Sequence, residues 1–155
     1  MLESGPISAE ELKKRLDANW VDFLFDLRNV EEFKIWRIEG KKDIETLNIP
    51  QEEFVGEEEL YLSKFPMDKN IVTVCAHGDS AKYAADLLQG YGINAFSLIG
   101  GMDSWSELCE SNKVCNDPAI YQFFRVAHGC LAYLIVSDGE ALVIDVAAIL
   151  TVSQT

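Results

Sequence analysis

The segment VTVCAHGDSAKYAADLL, residues 72–88, brings a thiol, an imidazole and a carboxylate together within five positions. A run of β-branched residues ends at Cys75, and a helical spacing of apolar residues begins at Ala81. The residues between them are small or polar: Ala76, His77, Gly78, Asp79 and Ser80. This pattern predicts a strand that ends at Cys75, followed by a tight loop and a helix. Open α/β folds place their ligand sites at such strand ends.

A loop of this kind is expected to act on the Cys75 sulfur. Gly78 permits a tight turn, and such turns aim successive backbone N–H groups inward as a nest for an anion. The positive end of the following helix dipole adds to the effect. Both stabilise a thiolate, so we expect Cys75 to be a good nucleophile. The anion would be the sulfur itself, a persulfide on it or a substrate oxyanion. The alternative is that Cys75 is a small buried hydrophobe.

The elements around this loop follow a β–α–β alternation. Two capping boxes, at residues 8–11 and 29–32, predict helix starts. Predicted strands lie within WVDFLFDLR, LNIP, IVTV and INAFSL, and further helices lie within residues 51–64 and 81–90 and within MDSWSELC. The alternation predicts an α/β fold in which a central parallel sheet carries helices on both faces.

The character of the chain changes after about Cys109. ESNKVCND is typical of a linker closed by Pro118, and three strand-like runs follow, YQFFRVA, CLAYLIVS and ALVIDVA. An Asp-Gly pair between the last two runs predicts a hairpin turn. We therefore predict two domains, at residues 5–110 and 119–155, the second being a strand-rich C-terminal extension.

The composition argues against several function classes. The 155 residues carry 26 acidic and 13 basic side chains, and the net charge of −13 disfavours binding to nucleic acid or to anionic membranes. No apolar run approaches the roughly 18 residues of a membrane span. The four cysteines show no CxxC pair, so we expect free thiols, no metal and no cofactor. The acidic N-terminus lacks an apolar signal core, which predicts a cytoplasmic location.

Five motifs in chain order resemble the rhodanese-like domain over residues 7–108. They are ISAEEL, DLRNVEEF, LNIP, VCAHGDSAKYAADLL and LIGGMDSW. The resemblance implies a sulfurtransferase in which Cys75 takes a sulfane sulfur from a small donor and becomes a persulfide. The sulfur then passes to a thiol or cyanide acceptor. The resemblance also implies that the loop binds the substrate, through Ala76, His77, Gly78, Asp79, Ser80 and Ala81.

One loop position departs from the family pattern. Many active members have Arg as the sixth loop residue, where this chain has Ser80. We therefore expect weak activity with the anionic donor thiosulfate. His77 is a candidate hydrogen-bond donor to the bound sulfur, with a solvent-facing residue as the alternative, and Asp26 with Arg28 is expected to form a structural ion pair. Two further functions stay open: a non-catalytic sulfur-carrying or regulatory module, and a thiol-based redox sensor.

The segment FFRVAHGCLAYLIVSDGEALVID resembles the first strands of a metallo-β-lactamase-fold hydrolase, before its metal ligands. That resemblance implies a truncated second domain and an association with persulfide-metabolising hydrolases of that fold, which is the setting of the module alternative. His128 and Cys130 are not expected to bind metal. Unpaired apolar strands favour association, so a homodimer through these strands is a candidate assembly.

Overall fold

The computed structural model describes residues 4–127 and 129–145. They form two compact units, the first ending at Ser104 and the second beginning at Trp105. The predicted domain bounds, 5–110 and 119–155, stay predictions, and residues 146–155 of the predicted extension lie outside the described residues, as does His128. In the described ranges, no helix has the length and apolar character that a membrane crossing requires. The cytoplasmic location stays a prediction.

The first unit is built on a five-stranded sheet in the order β1-β5-β4-β2-β3, and every strand pair in it is parallel. A short helix, α6 (Gly101–Glu107), follows the last strand. The other elements, in chain order, are β1 (Pro6–Ile7), α1 (Ala9–Asp17), β2 (Phe23–Asp26), α2 (Val30–Ile35), β3 (Glu45–Asn48), α3 (Gln51–Phe54), α4 (Glu58–Tyr61), a 3-10 turn (Leu62–Lys64), β4 (Ile71–Val74), α5 (Asp79–Gly90) and β5 (Ala95–Leu98). The predicted α/β fold with a central parallel sheet is confirmed.

Two of the helices begin where the capping boxes predicted. The Ser8 hydroxyl accepts a hydrogen bond from the Glu11 N–H at 3.2 Å, and α1 starts at the next residue after Ser8. The Asn29 side chain accepts from the Glu32 N–H at 2.8 Å, at the start of α2. Each cap satisfies one of the backbone donors that a helix N-terminus leaves without an intrahelical partner.

Both faces of the sheet are covered, because every residue of β2, β4 and β5 is buried. On one face, the ring of Phe25 contacts Phe54 and Phe65 edge-on, with ring centroids 5.0 and 4.9 Å apart. On the other face, Trp20 contacts Phe96 at 4.9 Å. A sheet buried on both sides holds its strand ends rigidly, which is what a site at those ends requires.

The second unit contains a four-stranded antiparallel sheet in the order β6-β7-β8-β9. Its strands are β6 (Cys109–Asn116), β7 (Ala119–Arg125), β8 (Leu131–Ser137) and β9 (Glu140–Ile144). The expected linker was wrong, since the residues of ESNKVCND up to Asn116 belong to strand β6. Its polar sequence shows no apolar alternation, and its strand state comes from pairing with β7, from Cys109 opposite Arg125 to Asn116 opposite Ala119.

The predicted hairpin turn joins β8 to β9. Asp138 and Gly139 both have positive φ, 51° and 81°, as a two-residue turn of the mirror-image type requires. Strand β9 pairs only with β8 in this sheet and exposes Leu142, Val143 and Ile144. The homodimer through these strands stays a prediction.

Candidate active site

Cys75 lies directly after β4, at the carboxyl end of a strand in the middle of the sheet. Its side chain is buried, with the residue 6% exposed. The Gly78 N–H donates to the Cys75 Sγ at 3.0 Å, and the Ala81 N–H donates to it at 3.4 Å. Both donors come from the turn into α5, so the backbone groups converge on the sulfur as the sequence predicted. Donors arranged in this way stabilise negative charge on the atom they surround.

The turn depends on Gly78, which has a φ of 107° and caps the N-terminus of α5. A Cβ at this position would lie 2.8 Å from the Gly100 nitrogen, so both the backbone conformation and the available space call for glycine. Because Gly78 completes the turn, α5 begins at Asp79, two residues before the predicted start at Ala81. Asp79 is thereby placed in the first helical turn, where a carboxylate interacts favourably with the helix dipole.

The start of α6 fixes the other side of the loop. The Met102 N–H donates to the Cys75 carbonyl at 2.8 Å, and the Asp103 N–H donates to the Ala76 carbonyl at 3.1 Å. Gly101 makes this approach possible, because a Cβ there would lie 2.3 Å from the Cys75 carbonyl oxygen. With both carbonyls held, the loop backbone keeps one orientation around the sulfur. The sequence motif LIGGMDSW included these residues but did not reveal this role.

Ala81 joins the loop to the core. Its side chain is fully buried, and its carbonyl oxygen lies 2.7 Å from the Thr73 hydroxyl of β4. The same hydroxyl lies 3.2 Å from the Phe96 carbonyl oxygen of β5. The Thr73 hydroxyl has one proton, and its shorter contact links the first turn of α5 to β4, which places the Ala81 N–H against the Cys75 sulfur.

Polar side chains of the loop form the outer rim of the site. The His77 Nδ1 lies 2.6 Å from the Asp103 Oδ2, and these side chains are 78% and 69% exposed. The Ser80 hydroxyl donates to the Gln51 side-chain oxygen at the start of α3. Asp79 is exposed and Ala76 half-buried. The structure therefore brings all the predicted loop residues together and adds Asp103 and Gln51. In the sequence, Asp103 lies inside the closing motif LIGGMDSW, and Gln51 directly follows LNIP. These positions were the sequence signals for the two residues.

The charged groups next to the loop are already engaged with one another. Lys82, the cation nearest to the loop in sequence, forms an ion pair with Asp86 at 2.6 Å along α5. The Tyr83 hydroxyl donates to Glu58 at 2.7 Å, and this hydrogen bond raises the pKa of Tyr83. The Gly56 N–H, and then the Tyr83 hydroxyl, lower the pKa of Glu58. Two exposed side chains of α5, those of Lys82 and Tyr83, are thus already bound to carboxylates, those of Asp86 and Glu58.

A buried ion pair stands at the end of the neighbouring strand β2. The Arg28 guanidinium contacts Asp26 through Nε and Nη2, the shortest distance being 2.7 Å, and both side chains are 5% exposed. Arg28 also donates to the Trp36 carbonyl oxygen at 2.7 Å. These contacts occupy the guanidinium within the fold, as expected for a structural pair. In the described ranges, no group of three or more His, Cys, Asp or Glu side chains is arranged to hold a metal ion.

A cavity of about 460 Å³ lies elsewhere, between residues 33 and 46. Its lining includes Ile44 and Thr46 at the amino end of β3, and β3 runs parallel to β2 and β4. Its lining residues do not include the Cys75 loop. Its basic residues include Arg37 and Lys41, which contact acidic partners at 3.4 and 3.3 Å.

Comparisons with known proteins agree with this geometry. Residues 8–108 match the family model of the rhodanese-like domain. The thiosulfate sulfurtransferase GlpE of Shewanella oneidensis is 29% identical over 102 residues, which cover 65% of this chain and 91% of that protein.

Solved structures show the same fold. A rhodanese-like domain protein of Staphylococcus aureus aligns with a TM-score of 0.53 at 25% identity, covering 66% of this chain and 90% of that one. A Staphylococcus saprophyticus protein aligns with a TM-score of 0.52 at 28% identity, covering 64% and 90% of the two chains. The matched residues 8–108 contain the Cys75 loop and the helices on both sides of it. With a family model matching about two-thirds of its length, this chain belongs to the rhodanese-like domain family.

Proposed function

We propose that the protein is a sulfurtransferase that moves sulfane sulfur through a persulfide on Cys75 to a thiol or cyanide acceptor. The observation that carries this proposal is the pair of backbone N–H groups, from Gly78 and Ala81, that donate to the Cys75 sulfur. Membership of the rhodanese-like family and the similarity to a thiosulfate sulfurtransferase support it.

The reaction has two displacement steps. In the first, the Cys75 thiolate attacks the sulfane sulfur of the donor, a bond forms to Sγ, and the donor's remainder leaves with the electron pair. In the second, the acceptor attacks the outer sulfur of the persulfide, and Cys75 leaves as a thiolate. Negative charge is present on or next to Sγ at the start and end of both steps, which is where the loop N–H groups point.

The substrate-binding role falls on the rest of the loop. We assign the backbone of Ala76, Gly78 and Ala81 to holding the charged sulfur, because this backbone is fixed by the contacts with β4 and α6. The polar side chains of His77, Asp79 and Ser80 then define the approach to it.

The choice of donor depends on charge. The name of the GlpE relative supports thiosulfate as a donor for this chain. Residues 75–81 contain no Lys or Arg, and the net charge of the chain is −13. The Ser80 hydroxyl already donates a hydrogen bond to the Gln51 side chain. Thiosulfate, a dianion, therefore finds backbone dipoles without a side-chain cation, and we expect a small alkyl persulfide, which carries at most one negative charge, to load Cys75 faster.

The test is to incubate the protein separately with thiosulfate and with a small alkyl persulfide, and to measure the intact mass after each. We expect a gain of one sulfur atom that Cys75→Ser abolishes and that the control Cys115→Ser retains, because Cys115 lies in strand β6 of the second unit. Ser80→Arg should raise the rate of loading by thiosulfate. Absence of loading from both donors would refute the proposal.

A second candidate is a non-catalytic sulfur-carrying or regulatory module that serves a metallo-β-lactamase-fold hydrolase. The observation that favours it is Ser80, which stands at the position of the family's loop Arg and is engaged with Gln51. Stable loading of Cys75 without turnover to cyanide or thiols would favour a carrier, and no loading at all would favour a regulatory module.

A further inference from the structure

We propose that His77, oriented by Asp103, is the general base that removes the proton from an acceptor thiol in the second step. The inference rests on the proposed sulfur transfer through Cys75 and adds a catalytic residue and a positioning residue to it. It also predicts that the acceptors of this site include thiols that must lose a proton before they attack.

The backbone places His77 next to the sulfur. The N–H that donates to the Cys75 Sγ at 3.0 Å belongs to the peptide unit joining His77 to Gly78. Standard bond lengths put the His77 Cα about 2.4 Å from that nitrogen, and hence at most about 5.4 Å from the sulfur. The backbone of His77 is therefore close to the reacting atom, and the 78% exposure of its side chain leaves the ring accessible to an incoming molecule.

Asp103 determines which ring nitrogen is available. Because the carboxylate lies 2.6 Å from Nδ1, it accepts the Nδ1–H of the neutral ring, and the lone pair is left on Nε2. Asp103 is itself held by its backbone, since its N–H donates to the Ala76 carbonyl oxygen at 3.1 Å. The carboxylate and the imidazole thus belong to two segments that meet beside Cys75.

The proton and the electrons balance in this step. The acceptor thiol gives its proton to the His77 Nε2, and the resulting thiolate attacks the outer sulfur of the Cys75 persulfide. A sulfur–sulfur bond forms on the acceptor as the bond from the outer sulfur to Sγ breaks. The electron pair of that bond goes to Sγ, leaving Cys75 as a thiolate, and His77 returns its proton to solvent. The transfer needs no further oxidant or reductant.

The pair is not explained by a contribution to stability. Exposed ion pairs and hydrogen bonds contribute little to folding, because water competes for both partners. Orientation is a better account, since an unpaired exposed imidazole would sample several rotamers and both neutral tautomers.

The test compares acceptors on protein whose Cys75 already carries sulfur, in single-turnover experiments at one pH. The acceptors are a series of thiols of increasing basicity, and the working pH is mildly alkaline, so that the reference acceptor sulfite is the dianion and has no proton to lose before attack. In His77→Asn, we expect the ratio of the rate constant for a basic thiol to that for sulfite to fall by about 100-fold, the lower range for loss of a general base. The fall should shrink for thiols that are already ionised at the working pH.

Asp103→Asn tests the positioning role. It should produce the same dependence on thiol basicity with a smaller fall in the ratio, and Asp103→Glu should recover part of it. The matched control is Asp86→Asn, which removes another exposed carboxylate bound to a side chain, that of Lys82 at 2.6 Å, and should leave the ratio unchanged. A fall of equal size for all acceptors, or no fall, overturns the inference while the proposed function stands. Failure of the wild-type protein to load sulfur overturns both.

Discussion

Replacing Gly101 by alanine tests how the start of α6 holds the loop. Gly101 has a φ of 57°, and an added Cβ would lie 2.3 Å from the Cys75 carbonyl oxygen and 2.6 Å from that of Ala76. Both are backbone atoms, so a side-chain rotation cannot relieve the contact. The substitution must push α6 away from the loop, or it must rotate the two peptide planes whose carbonyl oxygens accept hydrogen bonds from α6.

The expected loss of stability has two contributions. A left-handed backbone conformation costs alanine about 1–2 kcal/mol, and inserting a methyl group into a close contact costs about 1–3 kcal/mol. The control Gly92→Ala isolates the first contribution, because Gly92 has a φ of 81° and no described heavy atom lies within 4 Å of its added Cβ. Gly101→Ala should therefore reduce the free energy of unfolding by about 1–3 kcal/mol more than Gly92→Ala.

The assay is urea unfolding followed by circular dichroism, with sulfur loading of Cys75 measured on the same two variants in the absence of urea. We expect the loading rate to fall in Gly101→Ala and to be retained in Gly92→Ala, because only the first disturbs the Cys75 and Ala76 carbonyls. Equal stability losses in the two variants would refute the argument from close contact. Normal loading in a destabilised Gly101→Ala would show that the loop does not depend on α6.

Three further predictions concern the scaffold. Asp26→Ala should reduce the free energy of urea unfolding by about 3–5 kcal/mol, since it leaves the buried Arg28 guanidinium without its carboxylate; a loss typical of a surface pair would contradict the burial argument. Thr73→Val should cost about 1–3 kcal/mol in the same assay, because it removes the one hydroxyl proton that can be donated to a buried carbonyl oxygen, that of Ala81 or that of Phe96, and a neutral effect would show that neither depends on it. The hydrogen bond from Lys13 lowers the pKa of Asp17 from 3.8, so the stability from this pair is present above that pH and is lost as the pH falls through the lowered pKa. The difference in thermal midpoint between wild type and Asp17→Asn should accordingly vanish in strong acid, and a difference that persists there would have another origin.

Much of the first unit could be predicted because local sequence and tertiary fold agree there. Strand β4 matches the predicted IVTV, and the caps at Ser8 and Asn29 stand where the capping boxes indicated. The Cys75 loop was also predictable in outline, since a strand, a glycine-containing turn and a helix leave few conformations for five residues.

The missed features depend on contacts between distant segments. The strand β6 has little intrinsic strand character and is set by pairing with β7. The hydrogen bonds from Met102 and Asp103 to the loop carbonyls join residues more than twenty positions apart, and no spacing rule anticipates them. The strand β1 has only two residues, too short for any periodicity.

Backbone N–H groups are the donors that contact the Cys75 sulfur, so most side chains of the loop do not need to contact it. Substitution at Ala76, Asp79 or Ser80 changes what meets an approaching molecule, while Gly78 is constrained by its backbone angle. Under the proposed sulfur transfer, exchanging a few outward-facing side chains would change which donor or acceptor fits the site. Such a change of partner would leave the backbone donors in place, because their positions are set by the turn and not by the exposed side chains.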